Sequence, residues 1–295
     1  MTSKAQAWLE RADILREALP YMRAYSGRSI VIKFGGHAME SQEGIDAFAE
    51  DIALLKQVGM HPIVVHGGGP MIGQMLKRLG IKTSSVGGLR VTDEETMQVA
   101  EMVLNQVNKN LVASINRAGE AAVGISGKDA ELLRAEKLKP QGQDIGFVGQ
   151  PTLVNPRILA ALENTGLIPV VAPIAYGLDG ESFNVNADTF AGFIASSIGA
   201  IRLFMLTDVE GILDSDGQRI PTISPQQADQ LKASGVISGG MIPKVDTCLS
   251  AVAQGVEAAV ILDGRVRGSI LLELLTDMGS GTLVHQANDA EAGAT

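Results

Sequence analysis

His61-Pro62-Ile63-Val64-Val65-His66-Gly67-Gly68-Gly69-Pro70 is a run of largely apolar, β-branched residues that ends in three glycines and a proline. The run reads as a buried strand, Gly67–Gly69 as the loop that closes it, and Met71 to Leu79 as a helix starting near Pro70. Glycines let a backbone approach a ligand with no Cβ in the way. The helix start offers unpaired N–H groups and the positive end of its dipole, so the combination suits an anion. A plain tight turn is the alternative reading of this stretch alone. Two standard phosphate loops fail here. G-x-G-x-x-G continued from Gly67 or Gly68 requires glycine where Ile72 or Pro70 stands. In G-x-x-x-x-G-K-[ST], Gly127-Lys128 is followed by Asp129 and preceded by Ala122 at the first glycine position.

Outward from this stretch, strands and helices alternate. Ser29-Ile30-Val31-Ile32-Lys33-Phe34-Gly35-Gly36 is a second buried strand ending in glycines. Lys33 interrupts its apolar run, and a buried lysine is costly without a partner. It reads as a cation delivered to an anionic ligand at a strand end. A helix is expected from about Gly44 to Val58. Gly87 to Asp93 reads as a loop carrying Arg90, either a solvated residue or a fork for a carboxylate. Thr92 or Asp93 caps a helix from Glu94 to Ala118 with an apolar stripe of Met97, Ala100, Val103, Leu104, Val107, Leu111 and Ile115. The stripe serves packing on its own sheet or an interface between subunits. Ala121 to Ser126 is a strand, residues 132–154 read as hairpins, Pro156 to Glu163 as a helix and Leu167 to Ala175 as a strand. Asn184-Val185-Asn186-Ala187-Asp188 opens an apolar helix to Ile198, as caps or as ligand contacts. Arg202 to Gly211 is another strand and loop. Ser238-Gly239-Gly240 opens a helix to about Gly255 that carries Lys244. Glu257 to Asp263 and Gly281 to His285 complete the strands. The alternation implies a mainly parallel sheet with helices on both faces, and ligands gathered along one sheet edge.

Composition bounds the rest. The chain has 295 residues, 45% hydrophobic and 19% charged, with no internal repeat and no low-complexity linker. A net charge of −9 argues against nucleic acid or anionic membrane as the main partner. One cysteine, Cys248, excludes an internal disulfide and points to a reducing, cytoplasmic compartment. No apolar run approaches the ~20 residues of a membrane span, and Met1 to Arg11 lack a signal-peptide core. The four histidines, at 37, 61, 66 and 285, show no metal-ligand spacing and read as structural. The chain opens with a helix carrying Trp8, Ala12, Leu15, Leu19 and Met22 on one stripe and Pro20 inside it, where a kink is expected. That helix either packs on its own domain or is exchanged between subunits.

In their order, Lys33-Phe34-Gly35-Gly36, His66-Gly67-Gly68-Gly69, Gly88-Leu89-Arg90-Val91-Thr92, Asn184-Val185-Asn186-Ala187-Asp188, Asp208-Val209-Glu210-Gly211-Ile212-Leu213 and Gly239-Gly240-Met241-Ile242-Pro243-Lys244 resemble the amino-acid kinase family. The resemblance runs from about Leu15 to Val284 and is to the branch acting on N-acetyl-L-glutamate. It implies a three-layer α/β/α sandwich with an open, mainly parallel central sheet. Residues 1–27 would be a kinked oligomerisation helix, 28–176 an acetylglutamate-binding and dimerising half, 177–286 an ATP-binding half and 287–295 a disordered tail. The implied reaction is transfer of a phosphoryl group from ATP, with Mg2+, to the γ-carboxylate of N-acetyl-L-glutamate, a step of arginine biosynthesis. Gly68 and Gly69 would hold the reacting carboxylate, Arg90 and Asn184 the α-carboxylate, and Asn186 would also bind the substrate. Lys33 and Lys244 would neutralise the moving phosphoryl group and Asp188 would orient them. Gly35, Gly36, Thr207, Asp208, Val209, Gly211, Ile212, Leu213, Gly240 and Met241 would bind ATP. Magnesium prefers phosphate oxygens and water, so no protein ligand is assigned to it.

The same fold serves kinases of aspartate, glutamate, carbamate and UMP; Gly88-Leu89-Arg90 and Asn184 to Asp188 favour acetylglutamate. A non-catalytic amino-acid sensor is the rival class, and Lys33, Asp188 and Lys244 argue against it. Arginine-inhibited relatives carry a kinked N-terminal helix that links dimers into a hexamer, a trimer of dimers. Residues 7–25 resemble it. Residues 272–282 resemble the arginine-binding loop, with Glu273 toward the arginine side chain and Gly279 and Tyr21 closing the site. Val260 departs from the histidine that sensitive relatives often have.

Overall fold

The computed structural model describes residues 3–277 and 279–286. The tail expected at 287–295 lies outside them, as do Met278 and the side chains of Trp8 and His37. The helices are α1 Ser3–Tyr25, α2 Gln42–Gln57, α3 Gly69–Leu79, α4 Glu94–Arg117, α5 Arg157–Asn164, α6 Ala187–Ser197, α7 Pro225–Ala233, α8 Met241–Ala253 and α9 Ser269–Leu275. The strands are β1 Ser29–Phe34, β2 His61–His66, β3 Ser85–Val86, β4 Leu89–Arg90, β5 Ala122–Ser126, β6 Leu133–Lys137, β7 Gly149–Val154, β8 Ile168–Ala172, β9 Ile174–Tyr176, β10 Ser182–Asn184, β11 Arg202–Thr207, β12 Thr222–Ile223, β13 Ala258–Asp263 and β14 Thr282–Val284. Among the described residues no helix is long and apolar enough to cross a membrane.

Eight strands form the main sheet in the order β12-β14-β13-β11-β1-β2-β8-β5. Every pairing is parallel except β13 with β14. β1 lies between β2 and β11, with Ile30 opposite both Pro62 and Arg202. Helices cover both faces, which is why these strands are apolar runs without alternation. The period of two still sorts β1. Ile30, Ile32 and Phe34 pack with Phe48, Ile52, Leu55, Leu111 and Ile270 on the α2, α4 and α9 side. Val31 packs with Phe190, Ile194, Val245 and Val252 on the α6 and α8 side. Lys33 shares Val31's parity and so turns toward α6 and α8. These three layers, with a largely parallel sheet in the middle, match the expected sandwich.

Several local expectations change. The strand foreseen from Leu167 to Ala175 splits at Pro173: β8 joins the main sheet and β9 a second sheet, ordered β10-β9-β6-β7. Proline removes a ladder donor, so the break falls where one sheet hands the chain to the other. The Arg90 loop is a β3–β4 hairpin, with Val86 opposite Leu89 and Ser85 opposite Arg90. Gly87 and Gly88 both have positive φ, 58° and 82°, as a two-residue hairpin turn demands. Residues 272–275, foreseen as part of a loop, belong to α9. α7 and β12 were not foreseen. α1 is one continuous helix with Pro20 inside it, which leaves the expected kink untested. Finally, the α4 stripe is satisfied within the chain: Met97, Ala100, Val103, Leu104, Leu111 and Ile115 are all buried against its own helices and sheet.

Candidate active site

The carboxyl ends of β1 and β2 open into a cavity of about 340 Å³, where α3, α6 and α8 also begin. Its lining includes Lys33, Gly35, Gly36, Gly67, Gly68, Gly69, Arg90, Asn184, Asn186, Asp188 and Lys244. Residues far apart in sequence thus meet at one sheet edge, where open α/β folds place their ligands.

Asp188 sits at its centre, 7% exposed in the first turn of α6. Lys33 Nζ lies 3.0 Å from Asp188 Oδ1, and Lys244 Nζ lies 2.6 Å from Asp188 Oδ2. Burial alone would raise the carboxyl's pKa, but the charges of Lys33 and then Lys244 outweigh it and hold Asp188 below the usual carboxylate range. The buried lysine is therefore partnered, as its desolvation requires. Two ammonium groups against one carboxylate leave one net positive charge for an anion. Gly35 protects this arrangement: a Cβ there would stand 2.7 Å from Lys33 Nζ.

The glycine loop works in parts. A Cβ on Gly68 would come within 2.6 Å of Leu104 on α4, whereas one on Gly69 would meet nothing within 4 Å. Gly68 is thus required for packing, and Gly69 faces open space. Gly68 and Gly240 cap α3 and α8 without any side-chain hydrogen bond. α6 differs, because Asn186 Oδ1 accepts from the N–H groups of Asp188 and Thr189 at 2.9 and 3.1 Å. The capping reading of Asn186 is the one the structure realises, although Asn186 also lines the cavity. Arg90 Nη2 donates to the Gly69 carbonyl at 3.1 Å, so the hairpin is pinned to the loop and the guanidinium is held at the cavity wall.

The residues foreseen for ATP divide. Gly35 and Gly36 line the cavity. Thr207 ends β11, Asp208 and Val209 follow it, and a Cβ on Gly36 would stand 2.5 Å from an Asp208 carboxylate oxygen. Gly240 and Met241 start α8. Ile212 is 2% exposed, its N–H donates to Thr282 Oγ1 and its carbonyl accepts from Ile220. Its side chain packs in the core. Gly211, just before it, has φ 139° and abuts Thr282, and Leu213 bridges to Arg219. Leu104, Val148, Pro173 and Val185 also line the cavity and were not foreseen. Val148 arrives through its bridge to Asn184, a contact between sheet segments that no local pattern announces.

Among the described residues no three carboxylate, histidine or cysteine side chains cluster for a metal ion. Both oxygens of Asp188 face lysines. Of the effector candidates, Glu273 Oε2 accepts from the N–H groups of Ser280 and Gly281 at 2.5 and 3.1 Å. Gly279 lies beside it, and Tyr21 is half-buried on α1, which packs against α9.

A model of the amino acid kinase family matches residues 28–263. The chain belongs to the amino acid kinase family. It is 55% identical to an acetylglutamate kinase of Zymomonas mobilis over 94% of its own length and 95% of that protein's. It is 54% identical to an acetylglutamate kinase of Sphingopyxis alaskensis over 96% and 98% respectively. Among solved structures, N-acetylglutamate synthase of Neisseria gonorrhoeae, complexed with coenzyme A and N-acetyl-glutamate, is similar with a TM-score of 0.83 and 27% identity. That match covers 93% of this chain and 63% of the synthase. Carbamate kinase of Giardia lamblia bound to AMP-PNP shares the fold at a TM-score of 0.65 and 13% identity, over 89% of this chain and 99% of the kinase.

Proposed function

We propose that this kinase transfers the γ-phosphoryl group of MgATP to the γ-carboxylate of N-acetyl-L-glutamate, as a step of arginine biosynthesis in the cytoplasm. The observation that carries the reading is the Lys33–Asp188–Lys244 bridge beside an uncapped glycine loop. The acetylglutamate kinases at 54–55% identity support the choice of substrate.

The chemistry asks for little else. The attacking carboxylate is already ionised at neutral pH, so no general base is required. Its difficulty is repulsion. Two unit negative charges ~4 Å apart at an effective dielectric of ~20 repel by about 4 kcal/mol. Lys33 and Lys244 reduce that repulsion, and Asp188 holds both ammonium groups in place before substrate arrives. Loop N–H groups of Gly68 and Gly69 hold the reacting carboxylate, while Arg90 and Asn184 take the α-carboxylate at the opposite wall. Catalysis is then positioning and electrostatics. Magnesium, brought by ATP, supplies further charge neutralisation on the phosphates.

A hydroxamate assay across acetylglutamate, glutamate, aspartate, carbamate and UMP tests the reading. Acyl phosphate is expected with acetylglutamate and ATP. Preference for any other acceptor would overturn it.

Regulation belongs to the same proposal. Arginine would bind between α1 and α9 near Glu273 and inhibit, and the chain would assemble as dimers linked by α1 into a hexamer. The packing of α1 on α9 supports this. So does a structure of the Neisseria gonorrhoeae synthase complexed with coenzyme A and L-arginine, 27% identical over 93% of this chain and 65% of that one, with a TM-score of 0.81.

A further inference from the structure

His66 closes β2 immediately before the glycine loop, yet it is fully buried and does not line the cavity. Its Nδ1 lies 2.8 Å from the carbonyl oxygen of Gly67. Its Nε2 lies 3.2 Å from Nδ2 of Asn108, which is buried on α4. Asn108 Nδ2 also donates to the Val170 carbonyl at 2.8 Å and approaches that of Ile125 at 3.4 Å. An atom facing two backbone carbonyls must be the amide nitrogen, so the orientation of Asn108 is settled by its neighbours. Nε2 of His66 therefore accepts, and Nδ1 carries the proton that the Gly67 carbonyl takes. Burial pushes the imidazole pKa down to about 4, so the ring is neutral at physiological pH.

The consequence reaches the cavity through one peptide. There are no cis peptide bonds among the described residues. In a trans peptide the C=O and the following N–H point in opposite directions. Drawing the Gly67 carbonyl onto His66 turns the Gly68 N–H away from the core. We infer that His66, fixed in its Nδ1–H tautomer by Asn108, is a positioning residue that aims the Gly68 N–H at the reacting anion. The Gly67 N–H is itself tied to the Phe34 carbonyl at 2.8 Å, so the loop is held on both sides of this peptide. Gly124 accommodates the arrangement, since a Cβ there would fall 1.8 Å from Asn108 Oδ1.

The kinetic consequence rests on the phosphoryl transfer proposed above; the tautomer does not. His66→Asn places an amide nitrogen near the Nδ1 position and keeps the donor to Gly67. His66→Gln reaches the Nε2 position and loses that donor. For acetylglutamate phosphorylation, H66Q should lose about tenfold or more in kcat, the scale of a misplaced oxyanion-type donor, with KM for ATP within about threefold of wild type. H66N should stay within about fivefold of wild-type kcat. Both variants remove similar packing, so thermal stability should fall alike. Equal kcat losses in the two, or losses that track thermal stability, would overturn the inference. Nitrogen-15 NMR of histidine-labelled wild-type protein at pH 7 supplies an arm that needs neither folding of a variant nor substrate. A buried neutral ring protonated on Nδ1 supports the relay, and one protonated on Nε2 sinks it, whatever the hydroxamate assay shows.

Discussion

Asp188 concentrates the site's electrostatics in one side chain. Its pKa lies below the ordinary 3.8, because the lysine charges outweigh its desolvation. The stabilisation from its ionised form is complete above that ordinary value and is lost only as pH falls through the lower folded pKa. Asp188 therefore stays ionised at neutral pH, and the roles of its two partners are tested by removing each. Lys33→Ala and Lys244→Ala should each cut kcat by ~10²-fold or more, as for one transition-state donor lost; steady-state kinetics at saturating ATP checks this, and near-normal turnover in either variant would refute the assigned roles. Arg90 tests the other wall. It already spends one N–H on the Gly69 carbonyl, and its remaining donors form the fork that a carboxylate needs. Arg90→Lys keeps the charge and loses the fork. KM for acetylglutamate should rise well above any change in KM for ATP, and equal weakening of both would make Arg90 a structural pin for the loop.

At the scale of elements, α2 and α9 meet through Asp51. This carboxyl is 8% exposed, and its pKa is raised to about 6, chiefly by burial and against the hydrogen bond it accepts from the Gly268 N–H. A raised carboxyl pKa means the folded state binds more protons than the unfolded one between pH ~4 and ~6. Stability from this group falls as pH rises through that window and stays low above it. Asp51→Asn keeps an acceptor for Gly268 and removes the charge, so it should stabilise the fold by roughly 2 kcal/mol at pH 8 and by little at pH 4. Urea unfolding at the two pH values decides; an equal effect at both would show that the charge is not the cause. Legibility in the sequence also divides by element. β1, β2, β11 and β13 were readable because strands buried on both faces are long apolar runs. Lys33 was conspicuous because it sets a charge in an apolar run, whereas Asp188 and Lys244 took their roles from the family resemblance. α9, with seven residues, and β12, with two, are too short for any period to show. The β8–β9 break needed only attention to Pro173. Leu104 and Val148 were beyond reach: an apolar side chain facing a cavity has the same local signature as one facing the core. Ile212 packs in the core, inside a motif that resemblance assigned to ligand.

For the molecule as a whole, apolar side chains left open by a single chain point to assembly. α2, α3 and α4 enclose a groove of about 320 Å³ lined by Met71, Met75, Val103 and Val107, which offers a two-fold partner somewhere to dock. Most of the α4 stripe is buried internally, and Val107, half-buried on that stripe, is among the residues it presents to this groove. α1 gives an independent surface. Leu9, Ile14, Leu15 and Leu19 are 44%, 63%, 63% and 42% exposed, four large side chains on a helix that packs on α9 and, through Tyr25, reaches Arg202 of β11. Fully burying each would contribute about 1.5–3 kcal/mol, enough together to link dimers. Where α1 meets α9, Glu273 already braces the 280–281 backbone, so a cation bound there would act on a connection between subunits and on α9 at once. An inhibitor that prefers one arrangement of the linked dimers shifts the population toward it, by no more than its differential affinity for the two. The intact chain should sediment as a hexamer and lose activity as arginine rises to millimolar levels. Removal of residues 1–26 should leave an active dimer indifferent to arginine. A truncated chain that stays hexameric would detach α1 from assembly, and one that still responds to arginine would detach it from the effector site. An intact chain that sediments as a monomer at micromolar concentration would refute both surfaces together.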